Sequence, residues 1–127
     1  MAKQAASSVP KPCPEKESLR VRSLISCEQA GQVESLFELL SNDTRLRILH
    51  EIVRREEVCC IDLAEALEMK PQAISNQLLR LSDRGIVAAR RDRNNVYYRI
   101  VDNCVLILLD RALCLIEETA KRTGKSF

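Results

Sequence analysis

The chain carries six cysteines but only one histidine, His50. Two of the thiols are neighbours, Cys59 and Cys60 in EVCCIDLAEAL, residues 57–67. Thiolates suit soft ions such as cadmium, lead, mercury, copper(I) and trivalent arsenic or antimony, whereas nickel and zinc sensing leans on imidazole and oxygen ligands. Two adjacent side chains do not converge on one ion without strain, so an outside thiol is expected to join them. The candidates are Cys27, just before the first helix, and Cys13, between two prolines. Three thiolates fit pyramidal As(III), Sb(III) or Pb(II), and four fit Cd(II). A helix N-terminus at Cys59 and Cys60 favours the thiolate form. Cys104 and Cys114 lie in the most apolar stretch, where cysteine often acts as a small buried hydrophobe. Cys114 is expected in the core or a dimer interface, and His50 reads as an ordinary residue of the second helix. A rival reading uses the same thiols for redox sensing, with Cys27, Cys59 or Cys60 forming a disulfide or polysulfide link.

The elements that must hold these thiols follow from composition and pattern. Hydrophobic residues are 46% of the 127 and charged residues 30%, with aromatics at 3%. That fits one folded domain with a core of leucine and isoleucine, mainly helical. No apolar run is long enough to span a membrane, and MAKQAASSVPKPCPEK lacks the apolar centre of a signal peptide. A cytoplasmic protein with reduced thiols and no membrane partner is expected. Residues 1–17 read as a flexible arm, 18–122 as the folded domain and 123–127 as a flexible tail.

Helical spacing recurs from Glu28 to Leu40, with Val33, Leu36, Phe37 and Leu40 on one stripe. Asn42 or Asp43 can cap a second helix whose stripe is Leu46, Leu49, Ile52 and Val53. A third helix is predicted over Ile61–Leu67, with Leu63, Ala64 and Leu67 inward. Pro71 suits the first turn of a fourth, which turns Ile74, Leu78 and Leu81 inward and stops at Gly85. The third and fourth helices make a helix-turn-helix. Residues 86–100 then alternate about Asn94 and Asn95, which tolerate left-handed angles, and predict a two-stranded hairpin. A final helix over about Asp102–Lys121 contains VLILLDRALCLI, too apolar for one exposed helix, so a partner chain is expected to cover it.

The fold class is therefore mainly α: a winged helix-turn-helix with a β-hairpin wing and a C-terminal dimerisation helix. Net charge is only +2, but Arg90, Arg91, Arg93 and Arg99 cluster around one acid, Asp92. Local basic patches govern docking on phosphate. The candidate DNA-binding residues are Gln72, Ser75, Asn76, Gln77 and Arg80 on the fourth helix, and Arg90, Arg91, Arg93, Asn94 and Asn95 on the hairpin. No nucleophile, base and orienting group occur as a set, and the CC pair lacks CxxC spacing, so an enzyme is not expected. A protein-interaction module using the same wing is the remaining alternative.

In order, DTRLRILHEI, EVCCIDLAEAL, AISNQLLRLSDRGIV and RRDRNNVYYRI closely resemble the ArsR/SmtB family over about residues 33–118. The resemblance implies a dimeric winged-helix repressor that senses a metal or metalloid and leaves double-stranded operator DNA when the inducer binds. It carries over Cys59 and Asp62 from the family pattern ELCVCDL at the third helix. Ile61 stands where the second family cysteine would be, and Cys60 replaces the intervening valine. The family's other site, on the last helix, uses an aspartate, two histidines and a glutamate across the dimer. Asp102 and Glu118 match it, Cys104 and Leu115 replace the histidines, and a secondary or vestigial site results. The implied inducer is As(III) or Sb(III), or else Cd(II), Pb(II) or Hg(II), held by Cys59, Cys60, Cys27 and Cys13.

Overall fold

A computed structural model describes residues 10–127. Residues 1–9, most of the expected arm, lie outside the described residues. Five helices and a small sheet follow in order: α1 (Cys27–Leu40), α2 (Asp43–Arg55), β1 (Val58–Cys59), α3 (Cys60–Leu67), α4 (Pro71–Asp83), β2 (Val87–Asp92), β3 (Asn95–Ile100) and α5 (Asn103–Thr123).

α1, α2 and α5 begin where a side chain satisfies a free N–H donor, whereas α3 and α4 have no side-chain cap. Ser26 opens α1 with a reciprocal capping box to Gln29. The Asn42 side chain accepts from Arg45 N at 3.0 Å and opens α2. Pro71 supplies the pre-set first turn of α4, and Gly85, at φ 77°, lets the chain leave α4 and enter β2.

The core lies where α2, α3, α4 and the sheet meet. Ile48, Leu49, Ile52, Leu63, Ile74, Leu78 and Leu81 are fully enclosed, and Val87 and Ile100 close it from the sheet. Ile48, absent from the expected α2 stripe, is in this core, while Leu46 faces outward. The stripe is rotated because α3, α4 and the sheet all press on α2 from one side, whereas Leu46 borders α5.

The hairpin gains a third strand. Val58 pairs with Tyr98 and Cys59 with Tyr97, giving the antiparallel order β1-β3-β2. A two-residue strand is too short to show alternation in a sequence. The strand runs straight into the helix: Cys59 is the N-cap residue of α3, and Cys60 its first helical residue, one position before the expected start at Ile61. The wing turn is Arg93–Asn94, closing the Asp92–Asn95 pair, and Arg93 takes the left-handed angle at φ 59°.

α5 is the longest helix and has no buried residue. Leu113, Leu115 and Ile116 stand on its surface, Leu113 at 53% exposure. On α1, Val33 and Phe37 are likewise exposed. Among the described residues no helix is long and apolar enough to cross a membrane.

Candidate DNA-reading face and thiol sites

α4 presents Gln72, Ser75, Asn76 and Arg80 to solvent on the face opposite Ile74, Leu78 and Leu81. Gln72 Nε2 donates to Asn76 Oδ1 at 3.1 Å, so two of the amides brace each other one turn apart. Gln77 behaves differently. It is half-buried, and its Oε1 accepts from Arg45 Nε at 2.7 Å, while Arg45 also donates to the Leu39 carbonyl at 2.9 Å. Arg45 thus ties the start of α2 to the reading helix and occupies the Gln77 carbonyl. Sequence reasoning missed this role, since nothing local to Arg45 points thirty-two residues ahead.

The wing separates in the same way. Arg91, Arg93, Asn94 and Asn95 form an exposed tip. Arg90 instead grips Glu57 through two hydrogen bonds, at 2.6 and 3.0 Å, and lies 5.0 Å above the Tyr97 ring. The bonds to Arg90 hold the Glu57 carboxyl below its usual range, against the opposing pull of burial. Glu57 directly precedes β1, so this clamp locks the base of the wing to the segment leading into α3.

Cys59 and Cys60 are both half-buried. The Cys60 thiol donates to the Pro71 carbonyl at 3.4 Å, and burial, then the neighbouring Cys59, pushes its pKa up. Burial therefore outweighs the helix N-terminus that was expected to favour its thiolate. Cys27 is exposed at the first position of α1, and Cys114 is exposed on α5 rather than in this chain's core.

Cys13 lies elsewhere than beside α3. Lys11 forms a parallel bridge to Asp102: its N–H donates to the Val101 carbonyl at 3.1 Å, and its carbonyl accepts from Asn103 N at 2.7 Å. That bridge brings Cys13 Sγ to 2.8 Å from Cys104 Sγ. Asp102 caps α5 by accepting from Cys104 N at 2.7 Å. Its carboxylate and Cys13 both act on the Cys104 thiol, whose pKa is pushed up to about 12, with the Cys13 hydrogen bond the largest cause. Glu118 is bonded to Lys121 at 2.9 Å. It lies sixteen residues, or roughly 24 Å of helix, beyond Asp102, so the two do not meet within one chain. Among the described residues no three His, Cys, Asp or Glu side chains gather to hold an ion.

A buried helix-turn-helix with a polar outer face, flanked by a basic wing, defines a winged-helix DNA-binding protein. The comparisons agree, and narrow it. Residues 42–89 match the family described as bacterial regulatory protein, arsR family. The crystal structure of the AntR antimony-specific transcriptional repressor is 55% identical, covers 86% of this chain and 98% of its own, and superposes with a TM-score of 0.73. The transcriptional repressor SmtB homolog of Synechocystis sp. is 38% identical over 67% of this chain and 64% of its own length. The cadmium resistance transcriptional regulatory protein CadC of Listeria innocua is 29% identical over 78% of this chain and 83% of its own. The chain belongs to the ArsR/SmtB family of transcriptional regulators.

Proposed function

We propose that the protein is a homodimeric repressor that grips operator DNA and is released when a soft metal or metalloid binds its thiols. The observation that carries the reading is the separation of roles on the reading face. Gln72, Ser75, Asn76 and Arg80 on α4 and Arg91 and Arg93 on the wing are free of core duties, while Arg45 and the Glu57–Arg90 clamp hold their supports rigid. In this assignment α4 enters the major groove, its short polar side chains read base edges, and the wing tip contacts phosphate. Gln77 and Arg90 become positioning residues. Dimerisation is supported by the uncovered apolar surface of α5 and α1, since palindromic half-sites need two copies at a fixed spacing. A relative 25% identical is described as homodimeric.

The inducer reading is supported by six free thiols against one histidine and by relatives named for antimony and cadmium. Release requires only that the ion bind the DNA-free form better, and about 1.4 kcal/mol of such preference lowers DNA affinity tenfold. The test uses a duplex selected from a random-sequence library and followed by fluorescence anisotropy. Affinity falls steeply with salt, and antimonyl tartrate, arsenite, cadmium or lead releases the duplex. Unchanged affinity at saturation with all four rules out the inducer reading, and no duplex binding at low salt rules out the repressor.

A further inference from the structure

Cys13 and Cys104 are 91 residues apart in the chain, yet their sulfurs are the one thiol–thiol contact among the described residues. The contact is not a chance brush of two surface side chains. The Lys11 bridge fixes the backbone on one side, through two hydrogen bonds to Val101 and Asn103. The Asp102 cap fixes the backbone of Cys104 on the other. Both thiols are exposed, so a small solute can reach them. We propose that Cys13 and Cys104 form a two-thiol site for a trivalent arsenic or antimony species, which clips the arm to the head of α5. This deepens the inducer reading above and rests on it for its regulatory meaning, though not for its chemistry.

The separation of the sulfurs selects among soft ions. With the zinc–thiolate length of about 2.3 Å as a scale, a linear ion holds two sulfurs about 4.6 Å apart, a tetrahedral one about 3.8 Å, and a pyramidal one with right-angled bonds about 3.3 Å. The sulfurs stand 2.8 Å apart, closer than any of these bites, so a bound ion has to part them, and the pyramidal geometry parts them least. As(III) or Sb(III) therefore needs the smallest opening of the pair, and linear Hg(II) or Cu(I) the largest. Two thiols also suit the valence. Arsenous acid condenses with both to give a bis-thiolate that keeps one hydroxyl, and two waters leave, each carrying one thiol proton and one arsenic-bound oxygen. A mono-substituted arsenical keeps its organic group instead and is saturated by the two sulfurs. Arsenic stays trivalent throughout, so no oxidant or reductant is needed.

The site also lies where it can act. Cys104 is four residues past Ile100, the last residue of the wing strand β3, and lies in the first turn of the helix with the uncovered apolar surface. A clip there binds the arm across the joint between the wing and α5.

The experiment uses the full reduced chain and phenylarsine oxide, which takes two thiols per arsenic and releases one water. The adduct is challenged with excess mercaptoethanol, and the free thiols are then alkylated and mapped. The wild type retains one arsenical, with Cys13 and Cys104 protected. Cys13→Ser and Cys104→Ser each retain it at least tenfold less well, as loss of a chelate partner requires, while Cys59→Ser and Cys60→Ser leave that adduct unchanged. Undiminished retention in Cys13→Ser, or protection of Cys104 together with a thiol other than Cys13, overturns the proposal. The two readings fail separately. Duplex release by antimonyl tartrate that survives both serine variants leaves the inducer reading standing and removes this site's regulatory role. Arsenical capture by the pair without any duplex release does the reverse.

Discussion

Two thiol pairs stand at the heads of two helices, and they are built in opposite ways. Cys59 and Cys60 are adjacent in the chain and rest on the packed reading motif, with Leu63 fully buried one turn away. Their backbone and one thiol are engaged: Cys59 holds the N-cap position of α3 and pairs with Tyr97 through its backbone, without a side-chain capping bond, and the Cys60 thiol donates to the Pro71 carbonyl. Cys13 and Cys104 come from distant parts of the chain and rest on a surface bridge of two backbone hydrogen bonds. They face each other and are exposed. The α3 pair is set by adjacency in sequence, whereas the Cys13–Cys104 contact needs a backbone that returns. On the proposals above, the first pair would transmit a change to α4 and the second would receive the ligand.

That contrast predicts a graded set of breaks. The largest effect falls on the foundation of the α3 pair. Leu63→Ala opens a cavity in the core and costs about 2–5 kcal/mol of unfolding free energy, read by urea denaturation, while the arm bridge persists. Lys11→Pro does the converse. It removes the N–H that donates to Val101, leaves the urea midpoint unchanged and frees Cys104, whose alkylation by iodoacetamide at pH 8.5 rises about tenfold.

The pH profile sharpens the same point. The folded pKa of Cys104 is raised, so the arm contact is at full strength below the ordinary value of 9.0 and is lost as pH rises toward about 12. Alkylation of Cys104 should therefore accelerate across that interval. In Cys13→Ser the largest cause of the rise is gone, and the acceleration moves to lower pH.

A smaller change is expected from Cys60→Ala, which removes a partly buried hydrogen-bond donor and costs on the order of 1 kcal/mol. The smallest belongs to the clamp that links the α3 side to the wing. Glu57→Gln weakens a half-exposed ion pair and lowers duplex affinity by about threefold. Because the Glu57 pKa is depressed, the clamp is intact above 4.5 and is lost as pH falls through the folded value, a dependence absent from the glutamine variant.

Much of the frame was legible in the sequence because it depends on local rules. Leu63, Ala64 and Leu67, and Ile74, Leu78 and Leu81, fall at helical spacing, and all six are buried as that spacing requires. Pro71 and Gly85 mark the ends of α4 for stereochemical reasons. The class of protein followed from those elements in order, since four segments together carried the likeness to the ArsR/SmtB family.

What was not legible depends on the chain meeting itself at a distance. β1 is two residues long and exists only because β3 lies beside it. Gln77 and Arg90 have the residue types of DNA contacts, yet Arg45 and Glu57 reach them from thirty-two and thirty-three residues away. Cys13 was assigned to the α3 group because an extended arm has no fixed destination in a one-dimensional reading. The Lys11 bridge supplies a destination, and it is made of backbone atoms whose pairing carries no side-chain signature.

The central claim is that thiol capture of a metalloid and grip on the duplex oppose each other. Linkage makes this measurable from the ligand side: the affinity for antimonyl tartrate is titrated on the free protein and on the protein saturated with its selected duplex. The account predicts weaker antimony binding on the duplex, by the same factor as antimony weakens duplex binding. Equal antimony affinity in the two forms would contradict it.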